Sequence, residues 1–225
     1  MSGKLIRKVG RKITAVVLVG ISLLGSGCAT YKTMSPDLIQ SAPPIRKGES
    51  LVENPTDYSK LTWQEAIEHV RTPEQAQDYL DRHFEYDKDE EEGFSLRLFN
   101  VGSKGESFKY NHTRAKGVCL DYATSAAALL SDDGYEPLLL CMRGDVLHAV
   151  FLYRTDEGFG ALGKPPSFGV CPTLDGLVKS FTLPNGGKFR EYAVVDLDKN
   201  FTREEWISGD VDLQIPFMDK WRKVR

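Results

Sequence analysis

The chain has 225 residues, 27% charged and 41% hydrophobic, with 29 Lys/Arg against 32 Asp/Glu and a formal net charge of −3 at pH 7. That is enough sequence to bury a full core, and it lacks the basic excess that binding a nucleic-acid polyanion requires. No Cys or His pairs stand at metal-ligand spacing, so neither a metal nor a cofactor is expected.

Residues 1–27 carry Lys4, Arg7, Lys8, Arg11 and Lys12 but no acid, followed by an apolar run from Ile13 to Leu24 and then Gly25-Ser26-Gly27-Cys28. A cationic start and about a dozen apolar residues read as a secretory signal, too short for a membrane span, which takes ~20 residues. Small residues before Cys28 resemble the bacterial lipoprotein box, although Gly25 stands where that box usually has Leu. Lipidation of Cys28 is therefore expected, with the protein anchored to a membrane of a bacterial envelope and facing the periplasm or exterior. Without the leader cations, 24 Lys/Arg remain against 32 Asp/Glu, so the lipid rather than surface charge is expected to make the membrane contact.

From residue 28 to about 58 the chain is rich in Ser, Pro, Lys and Gly, which reads as a flexible tether ahead of a domain over 59–225. Thr62-Trp63-Gln64-Glu65 and Thr72-Pro73-Glu74-Gln75 have capping-box form and predict helices over about 63–70 and 73–83. The acidic run Asp87 to Glu92 reads as a solvated loop, and Phe94–Phe99 and Phe108–Tyr110 as short strands or loop segments beside a cleft. Cys119 falls in the first turn of a small-residue helix that runs to Leu130 and stops at Asp132-Asp133-Gly134.

A strand over Glu136–Met142, a turn at Arg143-Gly144-Asp145 and a second strand over Leu147–Arg154 predict a hairpin packed on that helix. Alternation puts His148, Val150 and Leu152 on one face and Leu147, Ala149, Phe151 and Tyr153 on the other. Leu174–Phe181 then reads as a helix, Glu191–Leu197 as a strand, and Thr202-Arg203-Glu204-Glu205 as the cap of a last short helix. Helices first and an antiparallel sheet later make the fold class α+β.

Cys119 and His148 are the candidate catalytic residues. A helix N-terminus and a nearby imidazolium together lower a thiol's pKa and make it nucleophilic, and a histidine on a core-facing strand can face the helix start. His69 and His83 fall on expected surface helices and His112 in a polar loop, so all three read as solvated. With Cys28 lipidated, three cysteines remain. Cys141 and Cys171 are then the natural disulfide pair, which leaves Cys119 free.

The segment Gly117-Val118-Cys119-x-Asp121-Tyr122-Ala123, the helix ending in Asp133-Gly134-Tyr135, and His148-Ala149-Val150-Phe151 before Gly158-Phe159-Gly160 resemble the transglutaminase-like superfamily over roughly residues 72–181. The resemblance implies a papain-type core, with the Cys-bearing helix packed on an antiparallel sheet that carries the His. It also implies a third residue, usually Asp, that orients the imidazole. Counting along the strand after His148 puts Gly163 at that place. Asp175, Asp156, Asp196, Ser167 or a backbone carbonyl stand as substitutes, and the sequence does not choose among them.

Two functions follow. In the first, an envelope lipoprotein attacks an amide of a peptide, protein or peptidoglycan-type substrate through Cys119. Backbone N–H groups stabilise the oxyanion, His148 protonates the leaving amine, and the thioester passes to water or to an amine. In the second, the fold serves as a membrane-anchored binding or assembly module without turnover, a reading that Gly163 supports.

Overall fold

The computed structural model describes residues 34–39, 57–86, 115–164, 169–183, 186–208 and 221–225. The leader with Cys28, most of the tether, the acidic run, His112, Ser167 and the segments 94–99 and 108–110 lie outside the described residues.

Helix α1 spans Trp63–His69 and helix α2 spans Pro73–His83. Both begin as their sequences dictate. Thr62 accepts from Glu65 N while the Glu65 carboxylate accepts from Thr62 N at 2.8 Å, and Thr72 caps α2 with Pro73 as its first residue. Strand β1, Phe84–Tyr86, follows α2 directly and pairs in parallel with β2, Ala115–Gly117. Helix α2 ends at His83, as its sequence predicts, and the chain turns extended at Phe84, whose backbone φ and ψ are −104° and 121°.

Helix α3, Cys119–Leu130, is buried along its whole length. A short 3-10 turn over Ser131–Asp133 prolongs it, and Gly134, at φ 81°, closes the turn in the left-handed region. The main sheet has five strands: β3 Leu138–Gly144, β4 Leu147–Thr155, β5 Gly158–Leu162, β6 Phe189–Asp196 and β7 Arg222–Lys223. They are antiparallel in the order β5-β4-β3-β6-β7. Arg143 and Gly144, expected in the turn, instead prolong β3 because the Arg143 guanidinium pairs with Glu191 on β6. Helix α4, Leu174–Ser180, starts at the Thr173 cap, and helix α5 spans Arg203–Ser208.

The sheet is covered on both faces. On one, α1, α2, α3 and Trp206 of α5 pack with Leu139, Cys141, Ala149, Phe151 and Val195. On the other, Leu174, Leu177 and Val178 of α4 pack with Leu138, Leu140, Met142, Val150, Leu152 and Val194.

Part of the stretch read as tether is docked on this second face. Met34 N donates to Val194 O at 3.0 Å where β7 no longer covers β6, and Ile39 is buried in the second core. The Arg154 guanidinium donates to Ile39 O, so residues 34–39 run from the β6 edge towards β4 as a short strap.

Candidate functional site around Cys119

The first turn of α3 is assembled from its own sequence. Val118 cannot cap with a side chain, so the Asp121 carboxylate reaches back and accepts from Val118 N at 2.9 Å. Asp121 is buried, and a Cβ at position 117 would meet its Oδ2 at 2.6 Å. Glycine at 117 is thus required by the carboxylate that starts the helix. Thr124 and Ser125 return their hydroxyls to Leu120 O and Asp121 O, which satisfies buried donors inside the same helix.

Cys119 is the first residue of α3 and only 1% exposed. Its Sγ accepts from Ala149 N of β4, from Leu120 N of its own helix and from the Tyr86 hydroxyl of β1. The register of β5 with β4 ends at Phe151, so the β4 edge at Ala149 turns to the thiol instead. These donors favour a thiolate, but burial outweighs them. Desolvation, with the Asp121 carboxylate acting in the same direction, pushes the Cys119 thiol up to about 12. At pH 7 the thiol is therefore protonated. The helix N-terminus was expected to lower this pKa, yet its N–H groups act on a sulfur that water cannot reach.

His148 takes the other side of the sheet. It pairs across the strands with Met142, stacks on Phe189 with ring centroids 6.1 Å apart, and meets Phe181 edge-on. Phe181, Phe189 and Met142 all belong to the core under α4, whereas Ala149 and Phe151 belong to the core under α3. The sequence placed His148, Val150 and Leu152 on one face correctly, but expected that face to meet the Cys119 helix. The structure puts the alternate residues there, so Cys119 and His148 open on opposite faces and are not brought together. Burial alone lowers the His148 pKa to about 4, and its Nε2 has no hydrogen-bond partner among the described residues.

None of the described substitutes for the missing orienter acts on this ring. Asp175 accepts from Arg225 N and from the Tyr192 hydroxyl, Asp196 is held by Lys199, and Asp156 is exposed in the β4–β5 turn. Gly163 is buried at the exit of β5, and Lys164 follows it. The Lys164 ammonium lies 5.7 Å from the Tyr122 ring centroid, donates to Phe84 O at 3.2 Å and sits 3.7 Å from Asp81. The strand end is therefore tied to α2 and β1 by a cation.

Three further residues differ from expectation. Cys141 lies in the core under α3, while half-buried Cys171 packs on the opposite core and bridges Phe159, so the two do not pair and both are free thiols. His83 is buried rather than solvated, with Nε2 2.8 Å from Tyr58 O and its ring stacked on Tyr79. His69 is exposed as expected. A cavity of about 550 Å³ opens elsewhere, beyond the C-terminal end of α3, between Ile67, Arg71, Asp132, Asp133, Arg203 and Ile207. Among the described residues, no group of three or more His, Cys, Asp or Glu is placed to hold a metal ion.

Residues 56–159 match a family model described as a transglutaminase-like domain. The chain contains a transglutaminase-like domain. Its matched span starts ahead of α1, holds both Cys119 and His148, and ends before Gly163. The α+β architecture, with a Cys-bearing helix on an antiparallel sheet that carries the His, is compatible with that assignment. A comparison with curated proteins gave no match. Sequence reasoning quoted Asp121 only as part of the motif, without its role at the helix start, and missed Tyr86 and Lys164, the latter beyond the matched span. The carboxylate three residues after Val118 was the available signal for Asp121; nothing local marks the other two.

Proposed function

We propose that this transglutaminase-like domain works as a binding or assembly module, anchored through lipid on Cys28 at a bacterial envelope membrane, with Cys119 serving as a packed helix-start residue. One observation carries the reading: the thiol and the imidazole of the resembled site face opposite sides of one sheet. The chemistry of each group agrees. A thiol pushed up to about 12 and an imidazole lowered to about 4 are both neutral at pH 7, so neither activates the other.

The test is alkylation of Cys119 between pH 6 and pH 10, followed by peptide mass analysis, in residues 29–225 and in the His148→Ala variant. The module reading expects slow modification at every pH and no effect of His148. Rapid modification with a pKa below that of a free thiol, raised by removing His148, would overturn it.

A second reading keeps the amide-directed thiol, and the convergence of two backbone N–H groups and the Tyr86 hydroxyl on Sγ favours it. That cradle suits a thiolate or an oxyanion once the site opens to water. Under this reading Cys119→Ala abolishes the cellular phenotype of the protein, and under the module reading the phenotype survives.

A further inference from the structure

The slot between Phe181 and Phe189 holds a titratable side chain and offers it no polar contact. His148 is 8% exposed, stacks on Phe189 of β6 and meets Phe181 edge-on, with both ring centroids 6.1 Å away. Its Nε2 is without a hydrogen-bond partner among the described residues. The charged groups of the surrounding elements are engaged elsewhere or exposed. On β3 Arg143 pairs with Glu191 of β6, and in the β3–β4 turn Asp145 pairs with Arg190. On α4 Asp175 accepts from Arg225 N, and Lys179 donates to Arg225 O. Tyr192 of β6 lies with Asp175 and Arg222, and Lys188 beside Phe189 is exposed. None of these groups shifts the imidazole, whose pKa is lowered by burial alone.

The walls of the slot are held in different ways. His148 on β4 and Phe189 on β6 are fixed by the main-chain ladders that join both strands to β3. Phe181 directly follows α4, which lies on the sheet through the side chains of Leu174, Leu177 and Val178. The chain is anchored just before α4, where Phe159 and Cys171 exchange two main-chain hydrogen bonds of 2.8 Å, and again where β6 begins. Between those anchors, lifting α4 with Phe181 breaks no strand pairing, whereas reaching the ring from β3 or β6 would break a ladder. A helix of seven residues has no stability apart from its docking, so lifting and unwinding are one event.

We propose that His148 is an acid-sensing pin beneath α4: when its ring takes a proton, α4 lifts with Phe181 and uncovers the apolar face around Met142 and Val150, while α3 stays docked. The direction follows from proton linkage. The closed chain binds the proton at about 4 and the open one near 6.5, so opening is favoured as pH falls below 6.5, and the effect is complete below 4. Between pH 7 and pH 5 the open population rises roughly twentyfold. The device lies on the face of the sheet away from Cys119 and does not depend on how that thiol reacts.

The test is amide hydrogen exchange, resolved by peptide, on the full chain in detergent micelles at pH 7 and pH 5, corrected for the intrinsic pH dependence of exchange. Protection of the α4 amides is expected to fall roughly twentyfold over that interval and to lie below that of α3 at both pH values. In His148→Leu and in His148→Gln, neither of which takes up a proton, the fall should be absent.

α4 protection that does not change with pH, α4 amides that exchange no earlier than those of α3, or an equal fall in both variants would each overturn the proposal. The second of these results would leave His148 linked only to unfolding of the domain as a whole.

Discussion

Replacing His148 by leucine removes a titratable group held between Phe181 and Phe189. In the folded chain its pKa is lowered to about 4, against 6.5 for the free side chain. Between those values the unfolded chain binds a proton that the folded chain refuses, so stability falls as pH drops from 6.5 towards 4. The difference of about 2.5 pH units corresponds to about 3 kcal/mol lost by pH 4, with about 2 kcal/mol already gone at pH 5. Carboxylate titrations are common to both proteins and cancel in the comparison. At pH 7 leucine relieves a buried Nε2 that lacks a partner but gives up two ring contacts. The two effects are of similar size, and the net change there should stay within about 1 kcal/mol.

Urea denaturation of both proteins at pH 7, 6 and 5 gives the result directly. The wild-type curve should fall further, opening a gap of about 2 kcal/mol at pH 5 relative to pH 7. Parallel curves, or an imidazole that titrates above 6.5 by NMR, would refute the placement of His148 in this apolar slot. They would restore it as a candidate partner for a thiolate.

Cys119→Ala leaves Ala149 N without its acceptor and should cost about 1–3 kcal/mol in urea denaturation, whereas Cys119→Ser, which still accepts, should cost less. Gly117→Ala drives a Cβ to 2.6 Å from Asp121 Oδ2 and strains the start of α3, with an expected loss of about 1–3 kcal/mol in thermal melts. Tyr86→Phe deletes a hydroxyl that favours the thiolate, so alkylation of Cys119 should become slower still at pH 9, with the fold unchanged by circular dichroism. Thr72→Ala removes the α2 cap and should cost about 1 kcal/mol.

Helix starts were legible because their chemistry is local. Thr62 with Glu65, Thr72 with Pro73, and Thr173 accepting from Gly176 N at 3.0 Å are each decided within four residues. The alternation of β4 was legible too, since a strand must place successive side chains on opposite faces. Its orientation was not. The sheet is buried on both sides, so both faces of β3, β4 and β6 are apolar, and no pattern of polar residues says which face meets α3. The direction of His148 hung on that undecided choice. Strands β1, β2 and β7 escaped notice for another reason: each has two or three residues and exists by virtue of a distant partner. The docking of residues 34–39 likewise depends on Val194 and Arg154, far along the chain.

The buried exit of β5 bears on the evolutionary freedom of this domain. A carboxylate installed at Gly163 would enter a desolvated position beside Lys164, while His148 would still stack on Phe189 across the sheet. Turning His148 towards α3 alone would empty the slot between Phe181 and Phe189 and crowd the helix start. A route from this arrangement to an assembled triad therefore crosses at least two changes that are each harmful without the other. Selection acting one substitution at a time would hold the domain where it is.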